Sequence, residues 1–231
     1  MTGRGRTDAP ADGGTIIVVT GMSFEVRIAA GPGVEVYSRG PGDALERRLA
    51  ERLRRPCAGV ISFGVAGGLD PALRPGAVIV AERVVHLSHR YDTDAAWSAA
   101  LRAAVPRAVS GPLAASDQPA AGVDDKRRLH HDSGALAVDM ESHIAARLAL
   151  AARVPFSACR VVLDPAAREL PSAALAGFGD DGRTDIGALL RVLIGQPGQI
   201  FPLLGLARDA GAARAALRAV RASVGPAYAL R

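Results

Sequence analysis

Cysteine is scarce in this 231-residue chain, and the two present, Cys57 and Cys159, lie far apart. That spacing argues against a disulfide framework or a zinc site and fits a reducing cytoplasm. Aromatic residues make up only 4% of the sequence, and no basic patch interleaves with them. Stacking recognition of single-stranded nucleic acid is therefore not expected. No run approaches the roughly 18 consecutive apolar residues that a membrane span requires. The opening MTGRGRTDAPADGG carries positive charge with no apolar stretch behind it. Residues 1–14 thus read as a disordered tail and not as a secretory signal. A Walker A loop, a G-x-G-x-x-G fingerprint and a G-x-S-x-G elbow are all missing. His86-x-x-His89 and His130-His131 lack a third ligand at convincing spacing, so neither a metal nor a cofactor is expected.

What the chain does have is apolar content, 49%, enough for one sizeable core. Residues 15–231 read as a single domain. The net charge is +5, nearly all of it from arginine spread over solvated faces. Short apolar β-branched runs alternate with helical patterns. Strands are expected at Thr15–Thr20, Val34–Ser38, Gly59–Phe63, Ala77–Val85, Val109–Ala115, Leu136–Val138 and Pro155–Leu163. Helices are expected over Ser23–Ala30, Gly42–Arg54, Asp94–Val105 and Met140–Arg153, and in the stretch after Pro171. Gly64–Gly68 reads as a glycine-rich turn. Such alternation implies an α/β fold, a three-layer α/β/α arrangement around a mixed, mostly parallel central sheet. Ligands in such sheets bind beyond the carboxyl ends of the strands.

Three carboxylates stand at such positions: Glu25, Glu141 and Asp164. Glu25 alone could be a first-turn acid favoured by the helix dipole. Glu141 shares the helical face of Ile144, Ala145, Leu148 and Ala152, with His143 and Arg147 on another face. A carboxylate on the buried side of a helix start needs a partner. Asp164 ends the most apolar strand, where parity puts Arg160, Val162 and Asp164 on one side. An arginine in so apolar a strand needs an acid or a substrate, and Asp164 or Glu141 could supply the acid. Asp164 could equally be a turn residue before Pro165. Asp92 and Asp94 read as turn and N-cap residues.

In family order and spacing, VVTGMSFEV (18–26), SFGVAGGLDPALRPGAVIVAERVV (62–85), AVDMES (137–142) and VPFSACRVVLDPA (154–166) resemble the nucleoside phosphorylase superfamily. The likeness is strongest to its methylthioadenosine/adenosylhomocysteine nucleosidase branch. It implies cleavage of the N-glycosidic bond of an adenine nucleoside. By position Glu25 would activate the attacking water. Glu141 would hold the ribose 2′- and 3′-hydroxyls, with Met140 against the sugar. Asp164 would deliver a proton to N7 of the leaving purine, and Arg160 is the strand arginine upstream of it. Gly67, Pro119 and Ala120 match substrate-binding positions, the latter two in the segment lining the base pocket. The resemblance also implies a homo-oligomer.

Phosphorolytic relatives hold phosphate with arginines and a serine around the glycine-rich turn. Ser62 stands where that arginine would be and Val65 where the serine would be, which favours water over phosphate. Arg27 remains a candidate anion ligand. SFGVAGGLDPALRPG, AVDMESH and LPSAALAGF look most like the group associated with bacterial hopanoid biosynthesis. Its assigned reaction is removal of adenine from adenosylhopane. Such a substrate needs an apolar 5′ pocket, for which Leu163–Phe178 and the loop near His86–Trp97 are candidates. Arg214, Arg218 and Arg221 fall on one face of the last helix, which either packs on the sheet or rests on an anionic bilayer. The rival readings are a phosphate-dependent phosphorylase, a methylthioadenosine nucleosidase and a catalytically silent nucleoside-binding protein.

Overall fold

The computed structural model describes residues 14–172, 174, 198 and 200–230. The expected disordered tail and the breaks expected at Gly177–Gly182 and Gln196–Gly198 lie wholly or largely outside them, as does most of LPSAALAGF. In chain order the elements are β1 (Ile16–Thr20), α1 (Ser23–Ala29), β2 (Val34–Ser38), α2 (Ala44–Arg52), β3 (Gly59–Gly68) and β4 (Val78–His86). There follow β5 (His89–Asp92), α3 (Ala95–Ala104), β6 (Val109–Ala115), α4 (Val123–Ser133), β7 (Ala137–Asp139), α5 (Ser142–Ala152), β8 (Phe156–Asp164) and α6 (Ile200–Ser223).

The β-branched run of β1 is buried on both faces, and its parity sorts the core. Ile16 and Val18 pack with Phe24 of α1, Trp97 and Leu101 of α3, and Ala213, Leu217 and Val220 of α6. Ile17 and Val19 face the other way, onto Leu45 and Leu49 of α2 and Ala145, Ala146 and Ala149 of α5. Helices on both faces of a mixed sheet are the expected α/β/α layering. Five strand pairs are parallel (β1–β2, β1–β3, β3–β8, β4–β6, β6–β7) and three antiparallel (β3–β7, β4–β5, β4–β8).

The pairing also closes on itself, which the sequence pattern does not reveal. β3 bonds β8, β8 bonds β4, β4 bonds β6, β6 bonds β7, and β7 returns to β3. Both long strands make this possible, because each is irregular partway along: β3–β8 register shifts at Ala66/Gly67 and β4–β6 register at Ala81/Arg83. Such bulges bend a strand and re-aim its side chains.

Two expectations need correction, and one helix was not foreseen. Gly64–Gly68 is not a turn but the second half of β3. The glycines there make room for side chains: a Cβ at Gly64 would lie 2.6 Å from Oε1 of Glu25 and 2.7 Å from Nη1 of Arg160. The stretch near His86–Trp97 is not a loop. It forms a β4–β5 hairpin through Leu87, at φ 53°, followed by the start of α3 capped by Asp94. Finally α4, VDDKRRLHHDS, passes unseen in the sequence because Lys126 is its one fully buried residue and no apolar stripe marks it.

Candidate active site

The β1–α1 junction aims a carboxylate inward. Glu25 sits in the first turn of α1 and is 1% exposed. Its Oε2 accepts from the backbone N–H groups of Gly21 and Met22, both at 2.7 Å, and its Oε1 accepts from the N–H of Val65, also at 2.7 Å. Burial pushes its pKa up, against the opposing pull of Arg160 and those three donors. Three amide dipoles on one carboxylate make an anion cradle whose anion belongs to the protein itself.

Beside it lies Arg160 in the middle of β8, 1% exposed. Nη2 donates to Oγ of Ser62 at 2.5 Å and to Oγ of Ser142 at 3.4 Å, and Nη1 to the carbonyl of Val65 at 3.3 Å. Its acidic partner is Asp139, which the sequence reading passed over. Nε stands 2.6 Å from Asp139 Oδ2, an ion-pair contact without hydrogen-bond alignment. Glu141 is further off, at 3.7 Å, and Asp164 pairs elsewhere. Asp139 also accepts from the N–H groups of Glu141 (3.3 Å) and Ser142 (3.0 Å), capping the start of α5.

Glu141 is the N-cap residue of α5, buried, with its carbonyl accepting from the N–H of Ala145. Its carboxylate fills the space that a Cβ at Gly21 would take, 2.9–3.0 Å away, and Arg39 reaches it at 3.4 Å. Burial raises its pKa to about 7; Asp139 and Glu25 push the same way, and Arg160 and Arg39 oppose them. Glu25, Asp139 and Glu141 thus share one buried guanidinium. Glu141 and Met140 line a cavity of about 260 Å³ that opens past Arg39, Leu45, Asp117 and Ile144.

Asp164 lies further along the sheet, 2% exposed. Its neighbour across β3 is Gly67, whose Cβ would lie 3.6 Å from Oδ1. Gly64, against Glu25, precedes Gly67 by three residues, so the two acids abut β3 at points about 10 Å apart along the strand, at a rise of about 3.3 Å per residue. Burial raises the pKa of Asp164, while Lys126 draws it down. Lys126, 1% exposed on α4, forms a short ion pair with Oδ2 and donates to the carbonyls of Pro165 (3.2 Å) and Arg168 (2.8 Å). No signal in the sequence marks it: Lys126 stands in the weakly patterned segment 123–133. Only its burial distinguishes it from the arginines that follow.

Of the expected base-pocket residues, Ala120 packs on Leu69, Ala114 and Val138, and Pro119 is half-buried in the same loop. His143, which shares a face of α5 with Arg147 as expected, is buried and stacks on His86, with ring centroids 4.1 Å apart. Its Nε2 lies 3.1 Å from Asp117, and burial, then His86, lowers its pKa. Its helical neighbour Arg147 pairs instead with Glu46 at 2.7 Å. His86, Asp117 and His143 offer ligand atoms within 4.8 Å of one another, a grouping across three elements that sequence spacing hides.

The Phosphorylase superfamily profile matches residues 19–194. The chain belongs to the Phosphorylase superfamily. A search of curated proteins finds no match. Among solved structures of the superfamily's fold, the chain is similar to the 5′-methylthioadenosine/S-adenosylhomocysteine nucleosidase of Neisseria meningitidis in complex with methylthio-immucillin-A. The TM-score is 0.61 at 19% identity, covering 91% of this chain and 97% of that one. It is also similar to the nucleosidase of Colwellia psychrerythraea in complex with adenine (TM-score 0.58, 19% identity, 66% of this chain and 83% of that one). A third is the futalosine hydrolase of Helicobacter pylori (TM-score 0.55, 18% identity, 65% and 88%). At these identities the likeness establishes a shared fold. Within that superfamily fold, Ser62 of this chain is wholly buried and bound to Arg160 and Ser142, and the amide of Val65 is taken by Glu25. Among the described residues no helix is long and apolar enough to cross a membrane.

Proposed function

We propose that this chain is a nucleosidase that hydrolyses the N-glycosidic bond of an adenine nucleoside, with residues 15–231 as its catalytic domain. Breaking C1′–N9 leaves positive charge on the sugar and an electron pair on the purine. Asp164 donates a proton to N7, Glu25 takes one from the water attacking C1′, and Glu141 accepts the ribose 2′- and 3′-hydroxyls, with Met140 against the sugar. Arg160 holds Glu141 and Glu25 in position, and Gly67, Pro119 and Ala120 border the base. Each acid–base step of this kind contributes on the order of a hundred- to ten-thousand-fold. Environments that hold one carboxyl protonated and another ionised allow both to run at one pH.

The observation that carries hydrolysis over phosphorolysis is the cradle at Glu25. The amides of Gly21, Met22 and Val65 already hold a carboxylate. A phosphate entering beside it would meet like charge in a site of low dielectric. The adenine preference is supported by the relatives in complex with adenine and methylthio-immucillin-A. The resemblance of SFGVAGGLDPALRPG and AVDMESH to the hopanoid-associated group supports adenosylhopane as the substrate, with ribosylhopane as the other product. It also supports a homo-oligomeric, cytoplasmic enzyme. The deciding experiment is adenine release from adenosylhopane, or from a short-chain 5′-alkyl surrogate, with phosphate present and rigorously absent. Release without phosphate, yielding a free ribosyl product, is the expected result. Strict phosphate dependence would overturn hydrolysis. Cleavage of methylthioadenosine alone would keep the nucleosidase and discard the lipid substrate.

A further inference from the structure

Helix α6 carries Arg214, Arg218 and Arg221 at i, i+4 and i+7, so their guanidiniums rise from one face. That face does not stand alone. It lies opposite α1, whose exposed side presents Arg27 beside Ile28, and the four arginines with Phe24 border a single cleft of about 410 Å³. Two of them are positioned by their surroundings. The guanidinium of Arg214 lies 4.3 Å from the ring centroid of Phe24. That of Arg221 lies 4.5 Å from the ring of Tyr228, and its Nε donates to the carbonyl of Ala29 at 3.2 Å. Stacking restricts a long side chain, and among the described residues it leaves the outer N–H groups of Arg214 free, whereas Nη1 of Arg221 also donates to the carbonyl of Gly225.

Among the described residues no carboxylate borders this cleft and none of the four arginines is ion-paired. Other arginines of the chain are treated differently: Arg47, Arg54, Arg127 and Arg128 each pair with an acid three or four residues earlier in the chain. Four unneutralised like charges around one concavity repel, and an anion between them removes that repulsion. Guanidinium forks match the oxygens of a phosphate group in paired hydrogen bonds, and Arg27, Arg214 and Arg218 are exposed and accessible above a floor that includes Phe24 and Ile28.

We propose that the cleft between α1 and α6 is a phosphate-binding site, in which Arg27, Arg214, Arg218 and Arg221 converge on the phosphate group of a soluble anion or of an anionic phospholipid. The site is separate from the carboxylates around Arg160, and the inference does not depend on which bond the chain cleaves.

Two probes distinguish the sources. Pyrophosphate is titrated calorimetrically into the full chain, and the chain is floated with phosphatidylcholine vesicles with and without phosphatidylglycerol. Wild type is expected to bind at least one probe saturably, with phosphatidylcholine alone inert. Saturation by pyrophosphate without flotation assigns a soluble anion, and flotation without saturation assigns a lipid headgroup. The double variant R214Q/R218Q and the single variant R27Q are expected to weaken binding at least tenfold. R54Q/R74Q, which removes the same charge from exposed sites outside the cleft, is expected to bind as wild type does. Thermal melts confirm that the variants fold. Binding of neither probe overturns the proposal, and so does equal weakening in R54Q/R74Q, which would reduce the effect to net charge.

Discussion

At the scale of single residues, the pair Asp164–Lys126 couples chemistry to stability. Asp164→Asn removes the transferable proton, and by leaving the buried ammonium of Lys126 without a charged partner it also lowers stability. We expect it to bind nucleoside and to lose most base release, a difference read by comparing ligand affinity with single-turnover rate. Normal turnover would remove Asp164 from the mechanism. Lys126→Met removes the other partner. Truncating one member of a buried ion pair costs about 3–5 kcal/mol, so its urea midpoint should fall well below that of wild type. Lys126 also draws the carboxyl of Asp164 down against the push of burial. Without the ammonium that carboxyl stays protonated to higher pH, and the alkaline limb of the kcat profile should move upward. An unmoved limb, in a variant that still folds, would mean that Lys126 merely fills space. The sequence made Asp164 visible because it ends an apolar strand ahead of Pro165. Lys126 was invisible because nothing in local spacing separates a buried lysine from a solvated one.

At the scale of elements, β3 holds the main discrepancy between pattern and structure, and its glycines explain it. GVAGG reads as a turn on propensity, since glycine weakens strands. Here the strand continues because the carboxylates of Glu25 and Asp164 and the guanidinium of Arg160 occupy the space beside it. Gly64→Ala is therefore expected to displace Glu25 and Arg160, with overpacking costing about 1–3 kcal/mol and activity lost more completely than stability. Gly211 is the contrasting case: it lies in α6 with open space where a Cβ would go. Gly211→Ala should stabilise the chain by about 0.5–1 kcal/mol through helix propensity and leave activity untouched. Denaturation curves paired with adenine-release assays on both variants check this. If Gly64→Ala proved as harmless as Gly211→Ala, the close approach of Glu25 and Arg160 to β3 would be refuted. Strand β1 was legible to within a residue because both its faces are buried and its run is β-branched. β2 (VEVYS, half-buried) and β6 (VSGPLAA, exposed at its start) matched their expected bounds without having both properties. The hairpin strand β5, HRYD, has neither property.

At the scale of the whole molecule, both the layering and the approximate place of the candidate site were legible, whereas the closure of the sheet was not. Closure depends on bulges at Ala66/Gly67 and Ala81/Arg83, and these depend on long-range pairing. One consequence of that closed, water-poor interior is a global dependence on pH. Glu25, Glu141 and Asp164 all have pKa values raised by burial. A carboxyl whose pKa is higher folded than unfolded binds more protons in the native state between the two values, so stability falls as pH rises through that window. For Glu141 the window runs from 4.5 to about 7. Glu141→Gln cannot ionise, so its stability relative to wild type should increase steadily across that interval and level off above it, as followed by urea midpoints. The same titration acts on function with the opposite sign. Ionised Glu141 accepts hydroxyl protons better than its acid form, so wild-type KM should fall as pH rises toward 7, while the Gln variant has a weaker and pH-independent KM over that range. Parallel KM profiles for the two proteins would separate Glu141 from ribose recognition while leaving its burial, and the stability effect, intact.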